Sequence, residues 1–86
     1  MVITDLKALQ RGYIWLEYER EGKPSGIADM RVEFFAINLD IRHRIYFMRA
    51  DLLRQKARRY FKISKLKYKD KVRYVKMHMT EFIRYD

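Results

Sequence analysis

The chain has 86 residues, with 20 Lys or Arg against 11 Asp or Glu for a formal net charge of +9, no cysteine, one Trp, seven Tyr and five Phe. Such a length allows one small domain, residues 1–86, with one modest core; the lack of cysteine excludes disulfides, thiolate-metal sites and cysteine nucleophiles, and the aromatic content argues against a disordered chain. No apolar run reaches the roughly 18 residues of a membrane span, and Met1-Val2-Ile3-Thr4-Asp5 lacks the basic flank and apolar stretch of a secretory signal, so the expectation is a soluble, non-membrane protein of the cytoplasm, including that of a cell hosting a virus or plasmid.

Thr4 to Gly12 predicts a short helix. Thr4 can cap its first amides, Asp5 suits its positive end, and Gly12 can stop it in a left-handed conformation. Tyr13 to Arg20 predicts a strand with Ile14, Leu16 and Tyr18 on one face and Tyr13, Trp15, Glu17 and Glu19 on the other. Glu21 to Gly26, with two glycines and the only proline, predicts a turn. Met30 to Ile37 reads as a second strand, with Met30, Val32, Phe34 and Ala36 on one face. A tight connection over 38–43 leads to a third strand, Arg44 to Arg49, and strands joined in this way are most economically an antiparallel meander.

The strongest helix runs from Asp51, its expected cap, to Lys62. Leu52, Leu53, Ala57, Tyr60 and Phe61 fill one half of its wheel, Arg54, Arg58, Arg59 and Lys62 the other, and Lys56 the apolar edge. From Ser64 to Met79 the chain carries a period of two: Lys65, Lys67, Lys69, Lys71 and Arg73 share one phase, and Leu66, Tyr68, Asp70, Val72 and Tyr74 the other. A lysine-rich arm or edge strand followed by a strand from Val72 to Met79 is expected, with a helical turn in Thr80 to Asp86. Ile45–Arg54 and Val75–Arg84 share a faint pattern of strand, small residue, acid, two apolar residues and arginine, which strand-to-helix physics produces without duplication. The predicted class is α+β: a small antiparallel sheet of three to four strands, one main basic amphipathic helix and a short N-terminal helix.

Charge is the most informative functional signal. Residues 1–51 hold eight basic and eight acidic residues, whereas 52–86 hold twelve and three. Between Leu52 and Lys76, Asp70 is the only acid against eleven bases. A face that merely keeps a protein soluble mixes signs, so the excess predicts a polyanionic partner, DNA or RNA first. The predicted contacts are Arg54, Arg58, Arg59 and Lys62 on the helix and Lys65, Lys67, Lys69, Lys71 and Arg73 on the arm, mainly to phosphates, with Tyr68 stacking on a base. Tyr60, Phe61 and Tyr74 are assigned to core packing. The expected activity is binding without catalysis, with DNA or RNA, single or double strand, left open; so small a core also leaves homodimerisation open.

Two other classes fit the composition. One is a metal-independent ribonuclease of toxin type, drawing on His43, His78, Tyr46, Arg42, Arg44 and Arg49 for proton transfer and phosphate stabilisation. The other is an interaction or inhibitor protein that binds an acidic partner protein. A metal-dependent nuclease needs converging carboxylates; Glu17, Glu19 and Glu33 are the candidates, but Asp29 is followed by Glu33-Phe34-Phe35, without the lysine of the usual Asp and Glu-x-Lys arrangement. Gly22-Lys23-Pro24-Ser25-Gly26 lacks the ending and the helix of a phosphate loop. No cofactor or metal is expected.

Overall fold

The computed structural model describes residues 1–39, 41 and 45–81, and its class is α+β. The strands divide between two sheets instead of forming one meander. The first sheet has the order β1-β4-β5, from β1 (Val2–Thr4), β4 (Phe34–Asn38) and β5 (Ile45–Arg49); the second has the order β3-β2-β7-β6, from β2 (Tyr13–Arg20), β3 (Lys23–Pro24), β6 (Leu66–Lys69) and β7 (Val72–His78). Between them α1 (Ala8–Arg11), α2 (Ala50–Arg58) and α3 (Tyr60–Ile63) complete the wall around a core built on Ile14, Leu16, Phe35, Ile37, Leu53, Val75 and Met77.

Local chemistry accounts for most boundaries. Gly12 ends α1 with φ of +87°, donating its N–H to the Ala8 carbonyl, as expected. Thr4, by contrast, is not a cap. It closes β1, a three-residue parallel strand paired with β4 through Val2↔Ala36, Ile3↔Ile37 and Thr4↔Asn38. Val-Ile-Thr is β-branched throughout and suits a strand, but its partner lies 34 residues away and leaves no local trace in the chain. Glu21 and Gly22, both at positive φ, make the two-residue turn from β2 to β3.

The set Met30, Val32, Phe34 and Ala36, read as sharing one face of the second strand, is not the fully buried one. Phe35, Ile37 and Leu39 are fully buried, while Met30 and Phe34 are exposed, and the strand begins only at Phe34. Apolar residues occupy both phases here, and a one-residue shift moves every side chain to the opposite face. Asp29 explains the late start: its carboxylate accepts the Arg31 N–H and a forked pair from the Arg31 guanidinium, holding 29–31 in a turn.

α2 and α3 follow the expected helix, interrupted at Arg59, with Ala50, Leu53, Ala57 and Tyr60 as the buried stripe. The expected cap, Asp51, is instead the second helical residue, after Arg49 at the cap position; its carboxylate accepts from the Leu52 N–H and from Arg49. Phe61 meets Tyr18 edge-on at 4.8 Å between ring centroids, which fastens α3 to β2. Met79–Glu81 forms one 3-10 turn after β7. The remainder of the expected C-terminal turn, the last residues of the pattern echoed in Ile45–Arg54, and most of the 38–43 connection lie outside the described residues.

Candidate nucleic-acid interface

The lysine run folds on itself. Asp70 and Lys71 stand at φ of +54° and +64°, a two-residue turn that joins β6 to β7 as a hairpin with Lys67 opposite Tyr74 and Tyr68 opposite Arg73. The expectation of one continuous phase therefore breaks at Asp70. Residues directly opposite each other across an antiparallel pair share a face, so Arg73 joins Tyr68, Leu66 and Val75, whereas Lys67 and Lys69 join Tyr74 and Val72. The Glu21 N–H donates to the Lys71 carbonyl at 2.9 Å, so the two hairpin turns of this sheet brace each other.

Across β7 and β2 the register continues the second of these faces through Tyr74↔Glu17, Lys76↔Trp15 and His78↔Tyr13. Ile14, Leu16, Val75 and Met77 point into the core, and the intervening residues point away from it. The result is an aromatic surface overlaid by cations. The Lys67 ammonium lies 5.0 Å from the Trp15 ring centroid and 5.2 Å from that of Tyr74, Lys76 lies 4.1 Å from Tyr13, and Tyr13 meets Trp15 edge-on at 6.2 Å. Ammonium groups keep to water while their stems cover apolar surface, so the ring faces beneath them look outward. Tyr74 thus belongs to this surface and not to the core. Neither Tyr13, Trp15 and Lys76 nor the role of Tyr74 was expected, although the alternation of Tyr13 and Trp15 against Ile14 and Leu16 was a visible signal.

Apart from Lys67, which lies over the aromatic surface, the expected contact residues fall into three groups. Lys65, Lys69 and Lys71 are exposed and have no carboxylate partner among the described residues, like Lys62 at the end of α3 and Arg58 on α2. Tyr68 is 63% exposed with the Arg73 guanidinium 4.8 Å from its ring centroid, and Arg73 is also held by Glu19 at 2.7 Å. The other two helical residues, Arg54 and Arg59, are spent on the fold. Arg54 is half-buried and donates to the Ile27 and Asp29 carbonyls at 3.2 and 3.4 Å, and Arg59 is bonded to Glu81, which also takes the Tyr60 hydroxyl and lies 3.7 Å from Lys56. Arg54 falls four residues from Ala50 and three from Ala57, on the flank of the buried stripe, which is why it meets protein before water.

The carboxylates on the strands of this sheet, Glu17 and Glu19, are both engaged. A bulge at Tyr18 shifts the register between Glu17 and Glu19, so Glu17 lies opposite Tyr74 and Glu19 opposite Arg73, on different faces. Glu17 accepts a forked pair from Arg20 at 2.8 and 3.2 Å, and this guanidinium holds its carboxyl below the ordinary range despite partial burial, which acts in the other direction. Glu33 lies instead with Arg49, Asp51 and Arg54 around a separate shallow cavity of about 380 Å³, so the three acids do not converge. Among the described residues no group of three or more His, Cys, Asp or Glu could hold a metal ion.

Of the residues named for a ribonuclease, Arg42, His43 and Arg44 lie outside the described residues. Tyr46 is part-buried in the first sheet, Arg49 is bonded to Asp51, and His78 belongs to the second sheet with its ring 5.9 Å from that of Tyr60. Among the described residues no helix is long and apolar enough to cross a membrane. Comparison of the chain with protein-family models, with curated proteins and with solved structures finds no match in any of the three.

Proposed function

We propose that this protein binds single-stranded nucleic acid in the cytoplasm, without catalysis, on the outward face of its four-stranded sheet. The observation that carries the reading is the juxtaposition of Trp15, Tyr13 and Tyr74 with the Lys67 and Lys76 ammonium groups, beside the unpaired Lys69 and Lys71 of the adjoining hairpin. A single strand offers unstacked bases to aromatic rings and a phosphate backbone to lysines; stacking contributes about 1–3 kcal/mol per base and works with any sequence. A duplex hides its base faces, so it would use only the lysines. Sheet geometry favours the same choice, because the helix that would enter a duplex groove has Arg54 and Arg59 committed to internal partners. Phosphate contacts then come from the hairpin and the end of α3, with Arg58 and Lys62 as the helical contribution.

Trp15 is the only tryptophan and reports on its own site. Titration with single-stranded DNA, single-stranded RNA and duplex DNA should quench its emission with the single strands, with affinity falling on a log–log salt plot by about 0.7 per phosphate engaged. Absence of binding to every oligonucleotide at low salt rejects the reading. Binding to duplex as tight as to single strand, with Trp15 emission unchanged, replaces the stacking surface by charge alone.

A further inference from the structure

The outward face of the three-stranded sheet has the opposite character. Register places Val2, Thr4, Phe34, Ala36, Asn38, Ile45, Phe47 and Arg49 on it, against Ile3, Phe35, Ile37, Tyr46 and Met48 on the core side. Phe47, Val2, Phe34 and Ile45 are 78, 70, 58 and 51% exposed. The one charged residue of the eight, Arg49, is bonded to Asp51 at 3.0 Å. With Met30 and Met1 at its margin, the exposed apolar surface is on the order of 600 Å², the upper end of the range typical for the largest patch on a monomer and approaching the roughly 800 Å² per partner of a standard interface.

From these observations we infer that this face is a two-fold interface between two copies of the chain, independently of the nucleic-acid reading. Charge selects the place: copies that each carry +9 repel, and association is least opposed where charge cancels. The charged side chain on this face, Arg49, is neutralised by Asp51, and the Met1 ammonium at its margin rests on the Phe34 carbonyl at 3.0 Å. Shape selects the partner. Along the row Val2↔Ala36↔Phe47 two large exposed groups flank a small one, so a two-fold axis lying in the interface plane, parallel to the strands and midway between β4 and β5, seats the Phe47 ring of each copy over the Ala36 notch of the other. Two sheets packed in this way lie about 10 Å apart with side chains interdigitated.

Sedimentation of nuclease-treated protein tests the inference, since removal of nucleic acid excludes bridging by a polyanion. At about 100 µM, above the micromolar Kd of a modest interface of this size, the unmodified chain is expected at twice its 10.7 kDa mass. Phe47→Glu and, separately, Ile45→Glu should sediment as monomers at that concentration with circular dichroism unchanged. Both side chains are exposed in the single copy, so the variants keep their fold. A monomeric unmodified chain overturns the inference, and so does a dimer that survives both substitutions.

Discussion

The two sheets bury their inner faces in one core, yet their outer faces are chemically unlike. On the four-stranded sheet the aromatic residues Tyr13, Trp15 and Tyr74 lie under lysine ammonium groups, and the adjoining hairpin adds Lys69 and Lys71 around a single acid, Asp70. On the three-stranded sheet Phe34 and Phe47 stand among Val2, Ala36 and Ile45, with Arg49 already paired. Exposed aromatic area is common to both; what differs is the hydrogen-bonding and charged company it keeps. Rings under cations suit a ligand with π-faces and phosphates, whereas rings among aliphatics suit a surface that excludes water from both sides.

If the contrast is real, substitutions on one face should leave the other untouched. The largest expected effect is on binding: replacing Lys65, Lys67, Lys69 and Lys71 together by Glu should reduce oligonucleotide affinity by at least about 100-fold at low salt, with the sedimentation coefficient of the free protein unchanged. Phe47→Glu should give the converse, unaltered anisotropy titrations and an altered mass. Loss of binding in Phe47→Glu would merge the two faces into one site and break the comparison.

Next in size is Gly26→Ala. Gly26 sits at φ of +54° with its Cα against β2, and an added Cβ would fall 2.2 Å from the Glu17 carbonyl oxygen. Backbone is in the way, so the crossover that leads from one sheet to the other must shift. A loss of about 2–4 kcal/mol in urea unfolding is expected, and a variant of unchanged midpoint would show that this approach is not tight. Trp15→Ala should weaken single-strand binding by roughly tenfold, about 1–2 kcal/mol, with little effect on duplex binding. Equal losses on both would remove stacking from the account of this face.

Lys71→Gly sharpens the comparison from the side of stability. A side chain in the left-handed region costs about 1–2 kcal/mol, and glycine there recovers part of it. An increase in unfolding free energy of about 0.5–1 kcal/mol is expected together with a small loss of affinity, so that stability and binding move in opposite directions. The smallest effect is that of pH. The carboxyls of Glu17 and Asp29 are held below their ordinary range by Arg20 and Arg31. Each therefore contributes stability that is complete above the ordinary carboxylate range, about pH 4, and is lost as pH falls through the lower folded value. Both pairs are solvent-exposed to a degree that keeps the effect slight. Glu17→Gln should remove its share of the acid dependence of the unfolding midpoint and, by releasing Arg20 beside the aromatic surface, raise oligonucleotide affinity.

Local signals carried the elements whose partners are near in the chain. The extent of β2, the positive-φ ends at Gly12 and Gly22, and the helical stripe Leu53, Ala57 and Tyr60 follow from periodicity and from residues that tolerate left-handed backbone. The concentration of charge after Leu52 is likewise a property of composition. The alternation put Lys67 and Tyr68 on opposite faces, as they are, but that Tyr74 joins Lys67 and Arg73 joins Tyr68 was not legible, because a turn at Asp70-Lys71, without glycine, reverses the phase.

What composition determined, then, is an α+β chain with its excess charge in one half and strands of alternating character. Only tertiary structure decided which strands became neighbours: β2 with β7 across more than fifty residues, and β1 with β4 in parallel. The physical reason lies in period and distance. Alternation records that a strand has two faces, but where both are apolar, as in Phe34-Phe35-Ala36-Ile37, burial in the assembled core selects the inner one. Likewise Lys67 and Lys76 meet Trp15 and Tyr13 only after distant strands pair, so the aromatic surface exists in the register and not in any one segment.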